Sequence, residues 1–128
     1  MDTRTKILTA QQAAATAQRL REAGRKVCVV TGYFDPLLAA HARRLAAARS
    51  QADALMAVVC SPERPILPAL ARAELVAALA VVDYVVLAEH GLVEALRGLG
   101  AVVERHEHLD EQITRELIAH VQRRHYGT

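Results

Sequence analysis

The stretch GYFDPLLAAH, Gly32 to His41, has residue types and spacing suited to holding a phosphate group. It follows KVCVVTG, Lys26 to Gly32, a continuous apolar and β-branched run that reads as a strand covered on both faces. Thr31 and Gly32 close that strand, and Gly32 lets the chain turn tightly and lets a ligand approach the backbone. A helix after the loop would aim free backbone N–H groups and the positive end of its dipole at an anion. Tyr33, Phe34 and Asp35 form the loop, and Asp35-Pro36 reads as an N-cap with proline in the first helical position. Leu37, Leu38, Ala39 and Ala40 bring no polar side chain. Gly followed by Asp-Pro also builds ordinary strand-to-helix turns, so the spacing alone fits a ligand loop and a plain connection equally well.

A second constellation is RHEHLDE, Arg105 to Glu111. Read as an extended segment, it places His106 and His108 on one side with Glu107 and Asp110 near, and two His at that spacing can share a metal. A solvated polar loop explains the same residues, and no metal ligand is assigned. Arg43 and Arg44 follow His41 on the same helix, facing either a ligand or water. His90, His120 and His125 have no partner pattern and read as surface residues.

The elements that position these residues alternate. Thr9 and Gln12 have capping-box spacing at the start of an Ala-rich helix that runs through Glu22, with Gly24 beyond it. Leu38 to Arg49 has good helix formers and no Gly or Pro. ALMAVVCS, Ala54 to Ser61, is a second buried strand, and the connection is long enough for a right-handed crossover between parallel neighbours. SPERPILP leads into the helix ALARAELVAALAVV. DYVVLA, Asp83 to Ala88, is the third strand, GLVEALRGLG a short helix and AVVER, Ala101 to Arg105, a shorter strand. The last helix, Asp110 to Arg124, begins with Asp110 as its cap and puts Ile113, Leu117, Ile118 and Val121 on one face. Residues 1–128 therefore form a single domain of α/β class, a Rossmann-like three-layer fold with a mostly parallel sheet.

Composition narrows the function. Of 128 residues 52% are apolar, with three Tyr, one Phe and no Trp, so the core is aliphatic and base stacking on aromatics is not a theme. Sixteen basic and 14 acidic residues leave a net charge of +2, which demands neither a nucleic-acid groove nor a membrane surface and leaves small anions as ligands. No apolar run approaches the ~20 residues of a membrane span, and MDTRTKILTA lacks the layout of a signal peptide, which predicts a cytoplasmic protein. Cys28 and Cys60, both in strand-like runs, are expected as buried thiols.

KILTAQQ, VVTGYFD, His41 and the segment RPILPALARAELVAALAVVDYVV, Arg64 to Val86, together resemble the cytidylyltransferase-like nucleotidyltransferases, most closely the adenylyltransferase domain of bacterial ADP-heptose synthases, with glycerol-3-phosphate cytidylyltransferase as a relative. The resemblance spans Lys6 to about Ala88. It implies a nucleotidyltransferase fold and attack by a substrate phosphate or hydroxyl on the α-phosphate of ATP or CTP, with pyrophosphate released and magnesium usually required. It assigns His41 as the catalytic donor, and Thr31, Gly32, Tyr33, Phe34, Asp35, His41, Arg64, Arg72 and Thr114 to the nucleotide and phosphate. The family often dimerises, so a homodimer is admissible.

The chain departs from the family pattern Gly-x-Phe-Asp-x-x-His-x-Gly-His at two places. Leu38 replaces the first His and has no donor, and Ala40 replaces the Gly that leaves room for the nucleotide. CSPERP also joins the second strand to the Arg-Pro segment without the family's Lys-bearing loop, leaving Arg64 as the nearby cation. In the family's Ser/Thr-rich turn, matched by Ile113-Thr114-Arg115, Thr114 alone keeps a hydroxyl. The expectation is a degenerate member that binds a nucleotide or a sugar or polyol phosphate with little or no catalysis, the alternative being an active transferase of AMP or CMP with altered phosphate contacts.

Overall fold

The computed structural model describes residues 2–125, except for the side chains of residues 113, 124 and 125. Ile113, Arg124 and His125, all placed by the sequence pattern, therefore have side chains outside the described residues. In chain order a 3-10 turn (Thr3–Lys6) leads to β1 (Ile7–Leu8), α1 (Ala10–Glu22), β2 (Val27–Gly32), α2 (Ala39–Arg49), β3 (Ala54–Val59), α3 (Ala69–Ala77), β4 (Tyr84–Leu87), α4 (Leu92–Gly98), β5 (Val102–Arg105) and α5 (Glu107–His125).

The five strands form one sheet in the order β1-β4-β3-β2-β5, and every pairing is parallel. β2 and β3 are neighbours, Cys28 opposite Leu55 and Gly32 opposite Val59, and all residues of both are buried. Their unbroken apolar runs reflect a sheet covered on both faces. Cys28, Val30, Leu55 and Ala57 pack with Leu45 of α2 and Val76 of α3. Val27, Val29, Met56 and Val58 pack on the other side with Ala13 of α1 and Leu96 of α4. Helices on both faces make the three layers of a Rossmann-like fold. Both cysteines are free; Cys28 is buried and Cys60 half-buried.

The start of α1 follows the sequence reading: Thr9 Oγ1 accepts from the Gln12 N–H at 3.1 Å, and Gln12 Oε1 from the Thr9 N–H at 2.9 Å. Two other boundaries do not. Asp35 is not the cap of α2, which begins at Ala39 with Leu38 in the cap position. The Asp35 carboxylate instead accepts from the N–H groups of Ile66 (2.6 Å) and Leu67 (2.8 Å), so it pins the Pro-rich segment before α3, and Asp35-Pro36 is a cis peptide. α5 begins at Glu107 rather than at Asp110, which turns the extended segment expected for His106 and His108 into the first turn of a helix. Among the described residues no helix is long and apolar enough to cross a membrane.

Candidate anion-binding site

The carboxyl end of β2 sets the geometry. Phe34 has φ +49°, in the left-handed region that non-glycine residues rarely adopt, and it is held there by burial at 1% exposure, with its ring centroid 5.9 Å from that of His41. The backbone N–H groups of Tyr33 and Phe34 both point at Asp110 Oδ2, at 2.8 and 3.5 Å. Gly32 makes the approach possible, since a Cβ there would sit 2.5 Å from that oxygen and 2.9 Å from Phe34 Cζ.

His41 faces the same carboxylate from α2. Its Nδ1 accepts from the Leu38 N–H at 2.9 Å, which caps the helix and leaves the ring proton on Nε2. Nε2 lies 3.0 Å from Asp110 Oδ1 with both side chains essentially buried. That contact is short but poorly directed, so Nε2 lacks a well-aligned acceptor. Arg44 Nη2 donates to the same Oδ1 at 2.8 Å, while Arg43 is exposed.

Burial by itself would raise the Asp110 carboxyl, but the close His41 Nε2–H, the Tyr33 N–H and the Arg44 guanidinium outweigh it and hold Asp110 below the usual carboxylate range. A depressed native value contributes stability that is complete above the unfolded value of about 3.9 and is lost as pH falls through the native value. The native protein should therefore lose urea resistance more steeply than Asp110→Asn as pH drops below about 4; parallel losses in the two would contradict the assignment.

The predicted residues fall into three groups. Gly32, Phe34 and His41 surround Asp110. Tyr33, Asp35, Arg64 and Thr114 line an adjoining cleft of about 340 Å³ together with Arg115 and Ile118. Across it Thr114 Oγ1 donates to the Asp35 carbonyl at 3.0 Å, and Arg64 is exposed. With Arg115 on the same lining, Arg64 is not the lone cation of the region.

Thr31 and Arg72 stand apart from both groups. Thr31 is fully buried; it follows Val29 in strand alternation, so its side chain enters the layer under α1 and α4, where its hydroxyl has no partner among the described residues. Arg72 is 0% exposed, so its guanidinium lies inside the fold rather than on the surface of α3. Its guanidinium donates to the carbonyls of Leu67 (3.0 Å), Tyr33 (2.9 Å) and Cys60 (2.7 Å) and to Ser61 Oγ (3.0 Å). It ties the two loops at the carboxyl edge of the sheet to α3, and these four acceptors are neutral.

The His106/His108 pair is separated by the turn into α5. His106 Nε2 lies 3.3 Å from Glu104 Oε2, and His108 is exposed. Among the described residues no group of three or more His, Cys, Asp or Glu is placed to hold a metal ion. Glu107 instead takes the Cys60 thiol at 3.4 Å. Burial, then the charge of Glu107, pushes that thiol up to about 11. At pH 8 iodoacetamide should modify native Cys60 on the order of a hundredfold more slowly than in the unfolded chain, and equal rates would contradict the burial and the Glu107 contact.

Asp110 is the residue the sequence reading missed in this role. The available signal was HEHLDE, which has no Gly or Pro and is free to start the helix a turn early. That early start moves Asp110 from the cap into the first turn.

No protein-family model matches the chain. It is 35% identical over 94 residues to the bifunctional protein HldE of Edwardsiella ictaluri, covering 66% of this chain and 20% of that protein. It is 36% identical over 93 residues to the bifunctional protein HldE of Acidiphilium cryptum, covering 66% and 19%. The chain thus spans about a fifth of the length of the curated relatives it matches. Its fold is shared with the lipopolysaccharide core biosynthesis protein from Thermoplasma volcanium, at a TM-score of 0.53 and 23% identity, over 64% of this chain and 94% of that one.

Proposed function

We propose that this chain, similar over about two thirds of its length to the HldE proteins, is a member of the cytidylyltransferase-like nucleotidyltransferases that binds a nucleotide or a sugar or polyol phosphate and has lost rapid nucleotidyl transfer. The observation that carries this reading is His41, the one motif donor the chain retains, whose Nε2 lies 3.0 Å from Asp110 rather than free for a ligand phosphate. At the other motif position Leu38 supplies only its backbone N–H, which His41 Nδ1 consumes. Ala40 lines a shallow depression between α2 and α5 with Arg43, Arg44 and Leu109, away from the cleft beside Tyr33.

Binding draws support from that cleft. Arg64 and Arg115 give it cationic side chains, Thr114 a hydroxyl, and Ile66 and Ile118 an apolar wall, a mix suited to a phosphorylated ligand with an apolar or ring portion. Two carboxylates beside the cleft are already engaged, Asp35 with both oxygens on Ile66 and Leu67 and Asp110 with both on the loop and α2, which leaves Glu111 alone on the lining and does not suit a resident magnesium ion. On this reading magnesium would arrive only with a triphosphate. Arg64 and Arg115 on one cleft also favour a second reading, an AMP or CMP transferase with relocated phosphate contacts. Calorimetry with ATP, CTP and a panel of sugar and polyol phosphates should give saturable heat with at least one of them, weakened in an Arg64→Ala, Arg115→Ala variant. No heat with any ligand would overturn the binding claim.

A further inference from the structure

We infer, building on the reading that this chain binds a phosphorylated ligand, that Asp110 is a self-ligand in a site whose donors suit a tetrahedral oxyanion, and that a phosphate group occupies the site once the carboxylate is gone. The Tyr33 N–H, the Phe34 N–H, His41 Nε2 and Arg44 Nη2 converge on the two oxygens of one carboxylate. The carboxylate's in-plane lone pairs do not align with all four of them. Tyr33 and Arg44 Nη2 bond well at 2.8 Å, the Phe34 N–H is stretched to 3.5 Å, and His41 Nε2 and Arg44 Nη1 are buried without an aligned acceptor.

Buried donors left unpaired are costly, and native proteins rarely keep two side by side. A phosphate has four oxygens in a tetrahedral array and up to two negative charges, which matches a set of donors arriving from a loop on one side and a helix on the other. The space is already cleared at Gly32, where a Cβ would meet the Asp110 oxygen. Positive charge is in place as well, since Arg44 contacts the carboxylate and the Arg72 guanidinium holds the Tyr33 carbonyl from behind. Asp110 is 1% exposed and enters from the first turn of α5, so ligand phosphate and the start of that helix compete for one position.

The test is thermal melting of the full chain in sodium phosphate and in sodium chloride of matched ionic strength. Asp110→Ala should gain melting temperature saturably with inorganic phosphate, with a half-effect at least tenfold lower in concentration than any response of the native protein. An Asp110→Ala, His41→Ala variant should lose that gain. A gain no larger than in chloride, or the same gain in native, single and double variants, overturns the inference. If Asp110→Ala is recovered unfolded in chloride, refolding in phosphate should restore the native circular dichroism, and failure in both buffers also overturns it. Nucleotide calorimetry on the native protein reports separately on the function reading. Binding there, with no phosphate response in Asp110→Ala, removes this inference alone; a phosphate response without nucleotide binding removes the other.

Discussion

Arg72→Ala is expected to cost about 3–5 kcal/mol of folding stability, because it strands the carbonyls of Tyr33, Cys60 and Leu67 at a buried junction. In a domain of this size that corresponds to a fall of about 10–20 °C in melting temperature. Arg72→Lys should recover only a minor part, since an ammonium is a point donor and cannot span four acceptors set around a planar fork. Urea denaturation of the three proteins measures the effect, and a loss below about 1 kcal/mol for Arg72→Ala would mean the loops hold their places without it. Because Arg72 bonds the Tyr33 carbonyl while Asp110 bonds the Tyr33 N–H, the substitution should also loosen the candidate site.

Gly32→Ala is expected to cost about 2–4 kcal/mol, for a reason located in the site itself. The new methyl would lie 2.5 Å from Asp110 Oδ2 and 2.9 Å from Phe34 Cζ. Either the carboxylate leaves the Tyr33 N–H or the left-handed turn at Phe34 must open, and both are closely packed. The Gly32 position has no positive φ, so the cost is spatial rather than conformational. A double-mutant cycle isolates it: in an Asp110→Ser background the penalty should shrink by at least half, whereas an unchanged penalty would assign the effect to Phe34 alone.

The comparison of sequence with structure separates local from distant causes. β2 and β3 were legible because a strand buried on both faces needs an unbroken apolar run, and the start of α1 because Thr9 and Gln12 sit three residues apart and satisfy each other. Two-residue β1 carries too short a pattern to read, and it exists because β4 pairs with it. Asp35, Arg72 and Asp110 take roles that the sequence does not show, for a common reason. Asp35 chose Ile66 and Leu67 over the helix it precedes, Arg72 reaches Tyr33 39 positions away, and Asp110 reaches Tyr33 77 positions away. A polar residue is read from sequence by its nearest role, cap or surface, whereas burial assigns it the partner that tertiary structure brings. The loop sequence marks Gly32, Tyr33, Phe34 and His41 as site residues, but the carboxylate at their centre comes from the far end of the chain.

Pyrophosphate release is the most direct measurement of the central claim. The native protein, incubated with magnesium, ATP or CTP and the panel of sugar and polyol phosphates, should release none above background. Two missing phosphate donors correspond to about four to six orders of magnitude in rate when each contributes as an oxyanion-hole donor does. Leu38→His, Ala40→Gly, which restores both motif residues, should raise the rate from that background. Turnover by the native protein that vanishes in His41→Ala would contradict the account, because it would mean that His41 serves a ligand phosphate despite its contact with Asp110.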